Sequence, residues 1–128
     1  MDLSKLDTKP LAEKGTDLTL LHPGTGEPLD IVITLMGSDS KAYRAVQHEI
    51  QNQNIKATKP KADFSKDRES GVIKRLAAVT GSWVNMENNG EPIECTPDNA
   101  EMVYSDFRWM ADQVVAHVEN RANFLPSA

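Results

Sequence analysis

The sequence is poor in several things that would settle its class outright. It has one cysteine, Cys95, in 128 residues. A lone thiol forms no internal disulfide and anchors no cysteine-based metal site, so disulfide scaffolds and zinc ribbons are excluded. Aromatics are few: Trp83, Trp109, Tyr43, Tyr104, Phe64, Phe107 and Phe124. No apolar run approaches the roughly 20 residues that cross a bilayer. Residues 1–5 lack the basic patch and apolar stretch of a signal peptide. Positive charge is not in excess either: the net charge of -5 argues against a general nucleic-acid binder. What is there is 39% hydrophobic and 26% charged, the balance of a globular domain. The expectation is one small domain over residues 1–128 in the cytoplasm, with no membrane and no nucleic-acid partner.

The charge is unevenly spread. Residues 1–40 hold three lysines against seven acids, residues 41–75 nine bases against four acids, and residues 82–128 two arginines against eight acids. A basic middle thus lies between acidic ends. Internal and intersubunit charge complementarity accounts for this more simply than a polyanion site does.

Residues 1–16 are polar with scattered leucines and read as an irregular arm. Residues 17–22 and 29–36 alternate as strands, the second with Leu29, Ile31, Ile33 and Leu35 on one face. Between them, Pro23-Gly24-Thr25-Gly26-Glu27-Pro28 is a dense turn signal, so the pair is predicted to form a hairpin. Its back face is imperfectly polar, which predicts a cover. Ser38, Asp39 and Ser40 are candidate caps for a helix carrying Tyr43, Val46 and Ile50. Residues 54–66 lose the period and read as a flexible basic linker. Helical spacing resumes over 69–80, with Gly81 as its stop. Residues 83–86 and 93–95 flank Asn89-Gly90, a dipeptide that favours a second small hairpin. Thr96-Pro97-Asp98 is a helix start, and Ser105-Asp106 can cap a further helix bearing Phe107, Met110, Val114 and Val118. The predicted class is α+β: an N-terminal β-hairpin, amphipathic helices, a small second hairpin and two C-terminal helices.

Chemistry is thin. His22, His48 and His117 lie on separate elements with no ligand partner at helical spacing. No serine sits in a nucleophile elbow, and the glycines of 24–26 lack a phosphate-loop Lys-Ser/Thr. Cys95 reads as a small buried hydrophobe. No enzyme, cofactor or metal is expected. Apolar material, in contrast, exceeds what one seam needs. Phe107, Trp109, Met110, Val114, Phe124 and Leu125 gather late in the chain, and Trp109 lies off the main stripe. Either this helix packs on two sides, or the surplus is a partner surface. Those six residues are the candidate partner-binding site.

The order of several sequence words carries a resemblance. Residues 18–29 read Leu-Thr-Leu-Leu-His-Pro-Gly-Thr-Gly-Glu-Pro-Leu, and Gly37-Ser38-Asp39-Ser40-Lys41-Ala42-Tyr43-Arg44 follows. Gly81-Ser82-Trp83 and Asn89-Gly90-Glu91-Pro92-Ile93 come next. The chain closes with Thr96-Pro97-Asp98-Asn99-Ala100, Trp109-Met110-Ala111-Asp112-Gln113-Val114 and Asn120-Arg121-Ala122-Asn123-Phe124-Leu125. This resembles the tail assembly chaperones of long, non-contractile-tailed (lambda-like) phages, across most of the chain, with the basic stretch from Lys56 to Ser65 as its weakest part. The resemblance implies a non-enzymatic role in virion morphogenesis in the host bacterial cytoplasm. Such proteins bind the helical, aggregation-prone tape measure protein, keep it soluble and promote tail tube assembly around it, and the mature virion lacks them. Many also have a longer, frameshifted form that recruits the tail tube protein; this sequence would be the short form. Opposed charges suggest self-association as well. A structural head–tail connector or tail terminator retained in the virion is the alternative.

Overall fold

A computed structural model describes residues 2–56 and 64–125, with side chains outside 50–70. The described elements, in order, are α1 (Lys9–Lys14), β1 (Thr16–Leu21), β2 (Pro28–Leu35), α2 (Lys41–Lys56), α3 (Phe64–Val79), β3 (Thr80–Val84), β4 (Glu87–Asn88), β5 (Glu91–Pro92), α4 (Pro97–Asp106) and α5 (Arg108–Glu119). Short 3-10 turns cover Leu3–Leu6 and Arg121–Phe124. The class is α+β, with a hairpin at the start and helices at the end, as the alternation predicted.

The hairpin closes through its own side chains and glycine. His22 N–H donates to Glu27 O at 2.8 Å and Gly26 N–H to His22 O at 2.9 Å. The His22 Nδ1 accepts from the N–H groups of Gly24 and Thr25, at 2.9 and 3.1 Å. His22 thus acts as a turn cap. Gly26 has φ +76° with open space around it, so the sign of φ, not crowding, selects glycine there.

The first sheet has three antiparallel strands in the order β1-β2-β3. Its third strand departs from expectation, since the sequence pattern predicts a helix end and stop at Thr80-Gly81. Instead the chain leaves α3 directly into a strand, with Met36 N–H donating to Val79 O at 2.8 Å. Register places Leu18, Ile33 and Trp83 in one row across the sheet. Because neighbouring residues point to opposite faces, Leu20, Leu35 and this row form the core side. The core is completed by Leu76, Ala77 and Val79 of α3, Val103 and Tyr104 of α4, and Met110, Val114 and Val118 of α5. On the other face Asp17, Thr19, Ser82 and Val84 are exposed, so the cover expected there does not extend over them.

The second hairpin is smaller than expected. The ladder pairs Glu87–Asn88 with Glu91–Pro92, and Ile93 N–H adds a bond to Met86 O at 2.8 Å, while Trp83 and Val84 belong to the larger sheet. Asn89 (φ +54°) and Gly90 (φ +80°) take the positive angles a two-residue turn requires. The Trp83 indole N–H donates to Ile93 O at 2.8 Å and ties this hairpin to the sheet.

The predicted arm is ordered. Pro10 sits in the first turn of α1 and Gly15, at φ +92°, ends it. Glu13 accepts from Lys41 N–H at 2.6 Å, and Gly37 N–H donates to Ala12 O at 3.0 Å. These bonds join positions far apart in sequence, which a local reading misses. Gly37 is there for closeness: a Cβ would lie 3.0 Å from Ala12 Cβ and 3.1 Å from Phe124 Cγ. Of the three candidate caps for α2, buried Ser40 does the work, its Oγ accepting from Tyr43 N–H at 3.2 Å. Helical backbone extends through 54–56 and 64–66, at both ends of the expected linker. Intrinsic propensity of the lysine, arginine and glutamate around 66–69 favours helix without an apolar period. Residues 57–63 of that linker lie outside the described residues.

Candidate partner-binding surface

Two helices build this region. Thr96 caps α4, its Oγ1 accepting from Asn99 N–H at 3.1 Å, with Pro97 following. The step from α4 to α5 is made by Phe107 rather than by Ser105-Asp106. Its N–H still donates to Val103 O at 2.8 Å, while its carbonyl accepts from Met110 N–H at 3.0 Å. One residue thus ends one helix and starts the next with no side-chain cap.

The buried side of this pair is held by a short polar relay. Thr80 Oγ1 donates to Leu76 O at 2.7 Å. Its single proton is thereby spent, so Tyr104 donates to it at 2.7 Å. Burial pushes the Tyr104 hydroxyl up to about 12, only partly offset by its bond to Thr80. The phenol stays protonated and structural.

A further face of α5 meets the edge strand β1. Gln113 Oε1 accepts from Leu21 N–H at 2.8 Å and Gln113 Nε2 donates to Leu21 O at 2.9 Å. One helical turn on, His117 Nε2 shares a hydrogen bond of 2.7 Å with Thr16 Oγ1. Partial burial lowers the His117 pKa, with Asp17 pulling weakly the other way. Its ring also meets Phe124 edge-on, with centroids 5.6 Å apart. Beyond it, Arg121 reaches Asp39 through Nε at 3.0 Å and Nη2 at 3.1 Å, while Thr8 also donates to Asp39. The Arg121 bond, then the Thr8 bond, hold the Asp39 carboxyl at about 2.

These contacts sort the six predicted residues. Met110, Val114 and Phe124 are buried; they fill the interior and present nothing to a partner while the domain is folded. Phe107 and Trp109 are half-buried against the core, and Leu125 is 37% exposed. A helix packed on two sides therefore explains the deepest part of the apolar surplus. Sequence reasoning passed over Leu21, Val84 and Met102, which are exposed. For Leu21 a signal existed: Leu20 and Leu21 are adjacent in a strand, so one of them must point outward.

What stays accessible is a seam. Trp109 lies one turn before Gln113 on the same helix face, and Gln113 is bonded to the backbone of exposed Leu21. A half-buried indole suits apolar contact with another chain and offers no bond-making chemistry. Elsewhere, burial raises the Cys95 pKa despite a hydrogen bond from the Trp83 backbone, leaving a protonated thiol. His48 is exposed on α2. Among the described residues, no three His, Cys, Asp or Glu side chains are placed to share a metal ion, and no helix is long and apolar enough to cross a membrane. No protein family, curated protein or solved structure matches the chain.

Proposed function

We propose that the chain is a tail assembly chaperone of a long, non-contractile-tailed phage, binding the tape measure protein in the host bacterial cytoplasm and promoting tail tube assembly around it. The observation that supports this reading is the ordered series of sequence words from Leu18 to Leu125. Their local chemistry has clear roles in the fold. The His-Pro-Gly-Thr-Gly-Glu-Pro stretch is the turn that His22 caps. Thr96-Pro97-Asp98 starts α4, and Trp109 to Val114 spans the seam and its buried underside.

The client-binding surface in this reading is narrower than the six residues: Phe107 and Trp109 at the start of α5, with Leu125 exposed beyond its far end. Coexpression with the tape measure protein of such a phage tests it. Solubility of that protein should rise with this chain present and fall again with Trp109→Asp, while circular dichroism of the variant stays native. A client equally soluble without this chain contradicts the reading. Stoichiometric presence of the chain in purified virions favours the head–tail connector or tail terminator instead. Recruitment of the tail tube protein belongs, in this proposal, to a longer frameshifted form.

A further inference from the structure

The apolar interior is not all one body. Ala12 and Phe124 are each 1% exposed, yet neither belongs to the main cluster between sheet and helices. They meet at Gly37, where an added Cβ would lie 3.0 Å from Ala12 Cβ and 3.1 Å from Phe124 Cγ. This is a satellite core. Two short pieces from distant parts of the sequence close it: α1 on one side and the 3-10 turn Arg121–Phe124 on the other.

Both pieces depend on the same anchors. Thr8, just before α1, donates to the Asp39 carboxylate, and Arg121 donates to that carboxylate through Nε and Nη2. Gly37 also serves both: its N–H donates to Ala12 O at 3.0 Å, and its missing side chain leaves the space Phe124 fills. Neither piece has much holding of its own. Helix α1 is six residues long, below the length at which a helix stands unaided. Besides the shared anchors it keeps Glu13 on Lys41 N–H. The turn is four residues, held to α5 by Asn123 Nδ2 on His117 O at 3.0 Å and by the edge contact of Phe124 with His117. A single residue joins each piece to the body. Gly15, at φ +92°, separates α1 from β1, and Asn120, with extended backbone, separates the turn from α5.

We propose that α1 and the turn Arg121–Phe124 form one strap, which opens and closes as a unit while the three-stranded sheet and α3 to α5 stay folded. With either piece gone, the other has lost its apolar partner and shares Asp39 with nothing, so the two are coupled across the sequence. The open form has a different surface. Phe124 turns outward beside Leu125, which is already 37% exposed in the closed form, and the notch at Gly37 is left empty. The domain thus keeps one aromatic side chain in reserve, presented only when the strap opens. This does not rest on the client reading: a chain without a client opens the same strap.

Native-state hydrogen exchange, followed residue by residue by NMR in low urea, tests it. The amides of Ala12, Gly15 and Gly37 should exchange through one shared opening that leaves the β2 amides protected. Phe124→Ala should lower protection of those three amides by about tenfold or more, although the substitution lies at the other end of the strap. In the reverse direction, Glu13→Pro breaks α1 without touching the turn. It should move the Phe124 ring resonances to those of a solvent-exposed phenylalanine. Gly37→Ala crowds Ala12 and Phe124 together and should produce both changes at once. In all three variants the β2 amides should keep their protection, which also reports that the domain is folded. Loss of β2 protection in step with α1, in the wild type or a variant, would mean that strap and core open only together. Unchanged α1 amides in Phe124→Ala, or a Phe124 ring still buried in Glu13→Pro, would mean that the two pieces are independent. Either result overturns the proposal.

Discussion

The domain is held together in two places by different physics. Between sheet and helices lies a dry core, in which Leu20, Ile33, Leu35, Val114 and Val118 have no exposure. Where the beginning and end of the chain meet, polar and titratable contacts join the apolar packing of Ala12 and Phe124 at Gly37. Thr16 meets His117 across 101 positions, Arg121 meets Asp39 across 82, and Thr8 meets Asp39 across 31. Apolar burial has no pH dependence of its own and falls off only with lost area. Paired polar groups depend on protonation, screening and loop closure over long separations. One chain therefore has a pH-indifferent centre and a pH-responsive clasp.

Emptying the centre should have the largest effect. Ile33→Ala should cost about 3 kcal/mol in urea unfolding, equally at pH 7 and pH 5. A cost that depended strongly on pH would break the distinction drawn above. Thr80→Val comes next. It leaves the Tyr104 hydroxyl buried with no acceptor, and about 2 kcal/mol should be lost. Tyr104→Phe should cost less, since Thr80 keeps its bond to Leu76.

The clasp should respond more mildly and to different variables. Asp39→Asn should cost about 1 kcal/mol, because Arg121 is 68% exposed and water screens the pair. Added salt should shrink the difference between variant and wild type. An unchanged difference would mean that Thr8, not Arg121, carries the interaction. Its acid limb is fixed by sign. The Asp39 carboxyl is lowered to about 2, so its contribution is present above the unfolded carboxylate range and is lost as pH falls towards 2.

The smallest expected effect is the most specific. The folded His117 pKa lies below that of a free imidazole because burial disfavours the charged ring. On acidification the unfolded chain takes up this proton first. Its stabilisation is thus complete above that value and is lost as pH falls through the lower folded one. Chemical-shift titration of the ring should show the depressed midpoint, and His117→Gln should flatten the stability profile in that window alone. A midpoint at or above the free-imidazole value would contradict the burial described for it.

Which parts were legible in the sequence follows the same division. Features set by near neighbours were readable: the turn at residues 22–27, the Asn89-Gly90 step, and the Thr96 cap. The pattern of Ile33 and Leu35 announced the buried side of β2. What escaped depended on distant partners. Helix α1 is only six residues long, too short to stand without the Glu13 and Ala12 bonds to residues 41 and 37. Strand β3 contains Gly81 and follows a helix without a loop, so only its pairing with β2 identifies it. For the late apolar cluster, the sequence shows the residues but not the faces they take. A helical wheel shows that Met110 and Val114 are apolar and Trp109 is offset. It does not show that the core takes the first two, that β1 takes Gln113 and His117, or that Gly37 makes room for Phe124.

Gln113 has one more consequence. Its side-chain amide offers one acceptor and one donor to Leu21, the same pair that a neighbouring strand's peptide group would offer. An outer strand of a sheet is otherwise a template on which foreign chains add themselves, the first step towards fibrous deposits. Here a glutamine belonging to a helix occupies that rung and, having no peptide continuing on either side, gives an incoming strand nothing to propagate. The amide works as a chain terminator for sheet growth at β1, supplied to that edge by helix α5.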